Sequence, residues 1–177
     1  MAKHKEDQHG ACASGIRGEQ LLLGAIKNNH LSLLNKVEDF ECYYGNEGFG
    51  REVWSGYKKI GGGIFAAAAR AVGRKGQCFV TDGYCPEINV TFEFKYGRVH
   101  GTTEEKVHCD LNKLREGVYP DNLWYIFVGT PEKSTHSAYF KMIVEKENLP
   151  CRVIFGMEAL NEALRTEEEK YAVKLAS

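Results

Sequence analysis

From residue 89 onward the chain alternates two kinds of segment, and this alternation limits its possible folds more than any other feature. "NVTFEFKYG", "NLWYIFVG" and "CRVIFG" read as strands: the first by period-two alternation, the others as short, near-continuous apolar runs. "TTEEKVHCDLNKLRE", "KSTHSAYFKMIVEKEN" and "MEALNEALRTEEEKYAVKLA", lying between and after them, read as helices. Strands separated by helices need crossover connections, and crossovers set consecutive strands parallel. Upstream, "QCFVTDG" reads as one more strand, joined to "PEINVTFEFKYGRV" by a hairpin through "DGYCPEIN". The expected fold is α/β: a central mixed β-sheet, antiparallel on one side and parallel on the other, flanked by helices.

The N-terminal part is harder to order. "GIRGEQLLLGAIKNNHLSLLNKVEDFEC" reads as helix, with Leu22, Leu23, Ile26, Leu33, Leu34 and Val37 near helical spacing and a break at Asn28-Asn29. The polar "MAKHKEDQHGACASG" before it reads as a mobile leader. "YYGNEGFG" reads as a glycine-punctuated loop, and "GGGIFAAAARAVGRKG" as a helix between Gly61 and Gly73. No repeat or Pro/Gly/Ser linker divides the 177 residues, so one domain is expected: residues 1–45 as leader and helical segment, residues 46–177 as its core.

A formal net charge of −1 excludes a globally basic nucleic-acid binder but not a local basic face. No apolar run approaches the ~20 residues of a membrane helix, and the opening has no signal-peptide core, so a cytoplasmic protein is expected. The six cysteines are scattered, and buried reduced thiols are the expectation for them. Cys78, Cys85, His108 and Cys109 contain none of the C-x2-C pairs usual for zinc.

Within residues 89–97 the odd positions carry a carboxylate and an ammonium, Glu93 and Lys95, on what reads as the polar, exposed face of a half-buried strand. The hairpin brings Asp82 to the same end of the sheet. Two carboxylates can hold Mg²⁺, with Mn²⁺ as a substitute, and a neighbouring lysine can orient water and stabilise charge on a phosphoryl oxygen. Glu104-Glu105-Lys106 and Glu168-Glu169-Lys170 have the same spacing but lie in charge-dense helical segments and read as solvated faces. The bland alternative for Glu93 and Lys95 is a salt bridge at a sheet edge.

This constellation, together with the element order, resembles the restriction-endonuclease-like superfamily, whose pattern is written PD-(D/E)xK. The resemblance covers about residues 45–156, with Asp82 as the metal-binding aspartate and Glu93-Phe94-Lys95 as the (D/E)xK. Thr81 stands where a proline is common and Gly83-Tyr84 where apolar residues are usual, which leaves Glu87 as a substitute for Asp82. The resemblance implies a restriction-endonuclease-like sheet in which Asp82, Glu93 and the Phe94 carbonyl bind Mg²⁺ and Lys95 positions the attacking water. A further glutamate from an upstream helix is implied, Glu52 or Glu19, with Glu52 preferred. The implied activity is a Mg²⁺-dependent endonuclease acting on duplex or branched DNA, site-specific or structure-specific. Cutting both strands usually takes two sites, so a homodimer is expected. An RNA-directed nuclease and a non-catalytic nucleic-acid-binding domain are the alternatives.

Residues 51–75 hold Arg51, Lys58, Lys59, Arg70, Arg74 and Lys75 against Glu52 alone, and Arg98 extends this basic window. Phosphate contacts need such a patch. His136 reads as a local helix cap, and the C-terminal helix as a packing or subunit surface.

Overall fold

In the computed structural model, which describes residues 6–34, 81–97, 103–117, 119 and 122–176, helix α1 (Glu6–Asn28) precedes strands β1 (Gly83–Cys85) and β2 (Val90–Gly97). There follow α2 (Thr103–Arg115), β3 (Leu123–Gly129), a 3-10 turn (Thr130–Lys133), α3 (Thr135–Lys146), β4 (Cys151–Phe155) and α4 (Gly156–Ala176). The strands lie in chain order, β1-β2-β3-β4. β1 runs antiparallel to β2, whereas β2, β3 and β4 are parallel. The fold is thus α/β with a four-stranded mixed sheet, as the alternation of segments predicts.

Helices cover both faces. Leu22, Ala25 and Ile26 of α1 and Leu160, Ala163 and Leu164 of α4 pack on Phe92, Phe94, Trp124 and Ile126. On the other face Val107, Leu111 and Leu114 of α2 and Phe140 and Val144 of α3 pack on Leu123, Tyr125 and Phe127. Both crossover helices, α2 and α3, lie on one face, as two successive crossovers of the same hand require. β3 is covered on both sides and accordingly reads as an unbroken apolar run.

β2 departs from the expectation of a half-buried strand. Its even face enters the core with α1, but the odd face is also covered, by α2, and Glu93 is only 6% exposed. Alternation reports which face of a strand is apolar; whether the polar face meets water depends on what else packs there.

Three boundaries also differ. β1 starts after Asp82, inside the stretch expected to be the hairpin turn, and the turn shrinks to residues 86–89, ending at Asn89 with φ 53. α1 begins at Glu6, so much of the expected leader is helical: once a helix is nucleated by its packed part, each added residue brings a hydrogen bond at little cost. The helix stops at Asn28 as expected, His30 taking φ 55, but Leu34 is extended rather than helical and exchanges two backbone hydrogen bonds with Tyr84 (2.9 and 3.0 Å). The helix read across residues 61–73, the loop "YYGNEGFG" and the strand residues before Thr81 lie outside the described residues.

The cap of α3 is Ser134, whose Oγ accepts the Ser137 N–H at 3.1 Å; His136 is already inside the helix, its Nδ1 3.3 Å from Nε2 of His108. Ser134 wins because its short hydroxyl side chain reaches the amide of the third helical residue, one of the unpaired donors of the first turn. Of the cysteines, Cys85 is buried as expected, whereas Cys109 is exposed, on the solvent side of α2. Among the described residues no helix is long and apolar enough to cross a membrane.

Candidate active site

Glu93 and Lys95 are two residues apart on β2 and so share the face that α2 covers. The stripe of α2 facing them is Val107, Leu111 and Leu114, and Asp110 falls on that stripe. The helix therefore carries one carboxylate into the interface, where it is 2% exposed. The Lys95 ammonium forms an ion pair with Oε1 of Glu93 and lies 3.3 Å from Oδ2 of Asp110. Lys113 donates to Oδ1 of Asp110 at 2.7 Å, and the Tyr125 hydroxyl, from β3, donates to Oδ2 at 2.5 Å. Lys95 also stands 5.3 Å from the centre of the Tyr125 ring.

Asp82 enters from the position just before β1. Its backbone N–H donates to the Phe92 carbonyl at 3.0 Å, and its Oδ2 accepts the Phe94 N–H at 2.6 Å. A strand residue directs its N–H and C=O to the same edge, so the Phe94 carbonyl shares the edge on which Asp82 sits. Oε2 of Glu93 is buried and has no hydrogen-bond partner among the described residues. A buried carboxylate oxygen left in this state is costly.

The electrostatics follow from this crowding. Burial pushes Glu93 up to about 7, the Asp82 and Asp110 charges adding to the effect and Lys95 opposing it. Burial likewise raises Asp82, against the Lys95 charge and the Phe94 N–H. Burial would raise Asp110 too, but Lys95, Lys113 and Tyr125 outweigh it and hold that carboxyl below its ordinary value. Lys95 is moved up: burial works against its charge, and the Glu93 and Asp110 carboxylates overcome it. Three carboxylates thus crowd around Lys95, with Lys113 on Asp110 and the Lys106 charge acting on Asp82, and Asp82 and Glu93 are the pair whose protons are held most tightly.

A pH dependence of stability follows. Glu93 titrates higher in the folded chain than its ordinary value of 4.5, so as pH rises from there to about 7 the unfolded state ionises first and the fold loses stability. In denaturant melts without divalent ions, the wild type is expected to lose stability across that window more steeply than Glu93→Gln. Equal slopes for the two proteins would mean that Glu93 is not the titrating group.

The structure brings Asp82, Glu93, Phe94 and Lys95 together. It does not bring Glu87: that side chain accepts the Ser32 N–H at 3.1 Å and the Cys85 thiol at 3.2 Å, at the opposite end of β1 from Asp82. Glu19 is exposed on α1, whose Gly18 abuts Phe94 and Tyr96 on the sheet face opposite Glu93. Glu52, Lys58, Lys59, Arg70, Arg74, Lys75 and Arg98 lie outside the described residues. Among the described residues no three His, Cys, Asp or Glu side chains converge to hold a metal; Asp82 and Glu93 are two carboxylates, with a backbone carbonyl beside them. Sequence reading missed Asp110, Lys113 and Tyr125. Asp110 had a legible signal, a charge at helical spacing among Val107, Leu111 and Leu114. No protein-family model, curated protein or solved structure matches the chain.

Proposed function

We propose that this chain is a divalent-metal-dependent nuclease of the restriction-endonuclease-like kind, hydrolysing phosphodiester bonds in DNA. The observation that carries the reading is the buried, unpartnered Oε2 of Glu93 in a group where the Asp82 and Asp110 carboxylates repel its charge. A divalent cation would relieve both conditions. Asp82, Glu93 and the Phe94 carbonyl offer the hard oxygen donors that Mg²⁺ or Mn²⁺ prefers. When bound there, such an ion polarises a phosphoryl oxygen and makes water a better nucleophile.

The chain's own groups do the rest. The Phe94 N–H holds one oxygen of the Asp82 carboxylate and leaves the other without that bond. Lys95, held charged, donates hydrogen bonds to a water or a phosphoryl oxygen and opposes the negative charge that develops there. α1 and α2 close the two faces of β2, which excludes bulk water from around these charges and strengthens each interaction. A DNA substrate, a homodimer and an intracellular location belong to the same proposal.

A second reading has one observation in its favour. The Lys95–Glu93 ion pair is largely buried, the lysine side chain being 13% exposed, as in a domain that binds nucleic acid without cutting it. Incubation with supercoiled plasmid, with and without Mg²⁺, separates the two. Nicked or linear product in Mg²⁺ alone is expected; retarded but intact plasmid in every divalent ion would favour the binding domain. A labelled RNA run alongside tests the choice of nucleic acid.

Asp82 and Glu87 are distinguished by metal binding. Asp82→Asn is expected to weaken Mn²⁺ binding in a calorimetric titration by roughly tenfold or more, as loss of a charged oxygen ligand does, and Glu87→Gln to leave it unchanged. The reverse ranking would move the metal site to the hairpin turn.

A further inference from the structure

We infer that Asp110 is the positioning residue of this site: it is the fixed anchor that keeps the Lys95 ammonium in place when a cation occupies Glu93. The catalytic meaning of this inference rests on the nuclease reading, whereas its geometry does not.

The Lys95 ammonium touches two carboxylates, Glu93 on its own strand and Asp110 on α2. A divalent cation bound to Glu93 would compete with the ammonium for that carboxylate and repel it at short range. A lysine side chain has four rotatable bonds, and once repelled it would swing out of the site unless a second anion held it. Asp110 is suited to that task because it cannot move. Its two oxygens are taken by Lys113 and the Tyr125 hydroxyl, from different elements, and it is buried between α2 and the sheet. Those same contacts make Asp110 a poor ligand for a second ion. A carboxylate needed only by Lys113 could have met it at the helix surface. Asp110 instead lies on the buried stripe, under Lys95 and Tyr125.

The site therefore keeps its two kinds of carboxylate apart. Asp82 and Glu93 face the cation, and Asp110 faces the lysine. Lys95 is the hinge between them, with both Glu93 and Asp110 in the resting form and with Asp110 alone in the loaded form.

Two measurements on the full chain test this. The first is single-turnover plasmid cleavage. Asp110→Asn is expected to lower the rate constant roughly 100-fold, the size of effect seen when a charge-stabilising donor is displaced, while the DNA concentration at half-saturation stays within about twofold. Tyr125→Phe removes one of the bonds that fix Asp110 and should lower the rate severalfold; it serves if the asparagine variant does not fold. The second is nitrogen-detected NMR of the Lys95 ammonium in Mg²⁺. A slowly exchanging, ordered signal is expected in the wild type, a weakened one in Tyr125→Phe and none in Asp110→Asn. An unchanged Lys95 signal in Asp110→Asn, or a wild-type cleavage rate in that variant, would overturn the anchor. A wild type that cuts nothing, yet shows a Lys95 signal dependent on Asp110, would take down the nuclease reading and leave the anchor standing.

Discussion

Glu93→Gln is expected to reduce Mg²⁺-dependent cleavage by roughly 10³-fold while the protein stays folded. The substitution keeps the shape of the side chain and an oxygen that can accept from Lys95, but removes the charge that would hold the cation. Removing a single preorganised charge-stabilising group commonly lowers a rate by about 10²–10³-fold, and a metal-binding carboxylate belongs at the upper end. Lys95→Ala should abolish cleavage as well, but at a cost to folding. It leaves Glu93 and Asp110 buried without their shared counter-ion, and breaking a buried pair from one side typically costs about 3–5 kcal/mol. An exposed pair would have cost almost nothing, so the burial of this strand face changes what the lysine variant can teach. Glu93→Gln separates chemistry from stability because Lys95 keeps Asp110 as a partner. Cleavage rates should be measured beside denaturant melts for both variants. A Glu93→Gln protein with wild-type cleavage would end the nuclease reading.

A comparable effect on folding, away from any charge, is expected from a glycine. Gly129 ends β3 at φ 80 and ψ −133, a conformation that residues with a Cβ rarely adopt. A Cβ added there would stand 2.4 Å from the carbonyl oxygen of Gly97, the last residue of β2. That neighbour is backbone, paired in register with Gly129, and it cannot rotate away. Gly129→Ala is therefore expected to destabilise the protein by roughly 3–5 kcal/mol, combining backbone strain with a shift of the strand end. Gly24→Ala is the control. It lies inside α1 with nothing near its added Cβ, and should stabilise by up to about 1 kcal/mol. Urea unfolding of the two variants decides the point. Similar midpoints would show that the ends of β2 and β3 can part without loss. Gly97 is two residues beyond Lys95, so Gly129→Ala should also slow cleavage.

The sequence carried the α/β class and the convergence of Asp82 with Glu93 and Lys95, because both depend on local pattern: segment type, segment order and a short hairpin. It did not carry what covers each face. The polar positions of β2 looked solvent-facing because Thr91, Glu93 and Lys95 are the residues that solvent-facing strands use, and their burial depends on α2 lying across them. Asp110 escaped notice for the matching reason. On α2 it reads as one charge among several until the stripe through Val107, Leu111 and Leu114 is laid against β3. The start of β1 differs because "DGYC" contains turn residues, yet Gly83 lies in the strand with the Leu33 side chain packed close against it, 2.5 Å from where a Cβ would stand. Glu52 and the basic window of residues 51–75 lie outside the described residues, so the DNA-contacting part of the sequence reading rests on composition alone.

The strand order, identical to the chain order, governs how the chain can assemble. Each strand pairs with the one made just before it, so the sheet grows by closing short loops in succession, and short closures are the fast ones. α1 is the exception. It packs on β2 and on α4, elements far from it in the chain, so its docking makes the longest-range contacts among the described elements. On that order of events β2, β3, α2 and Asp110 can meet before α1 arrives. The ammonium cradle would then exist in a partly folded chain, and the opposite wall of the site would be the last part to form.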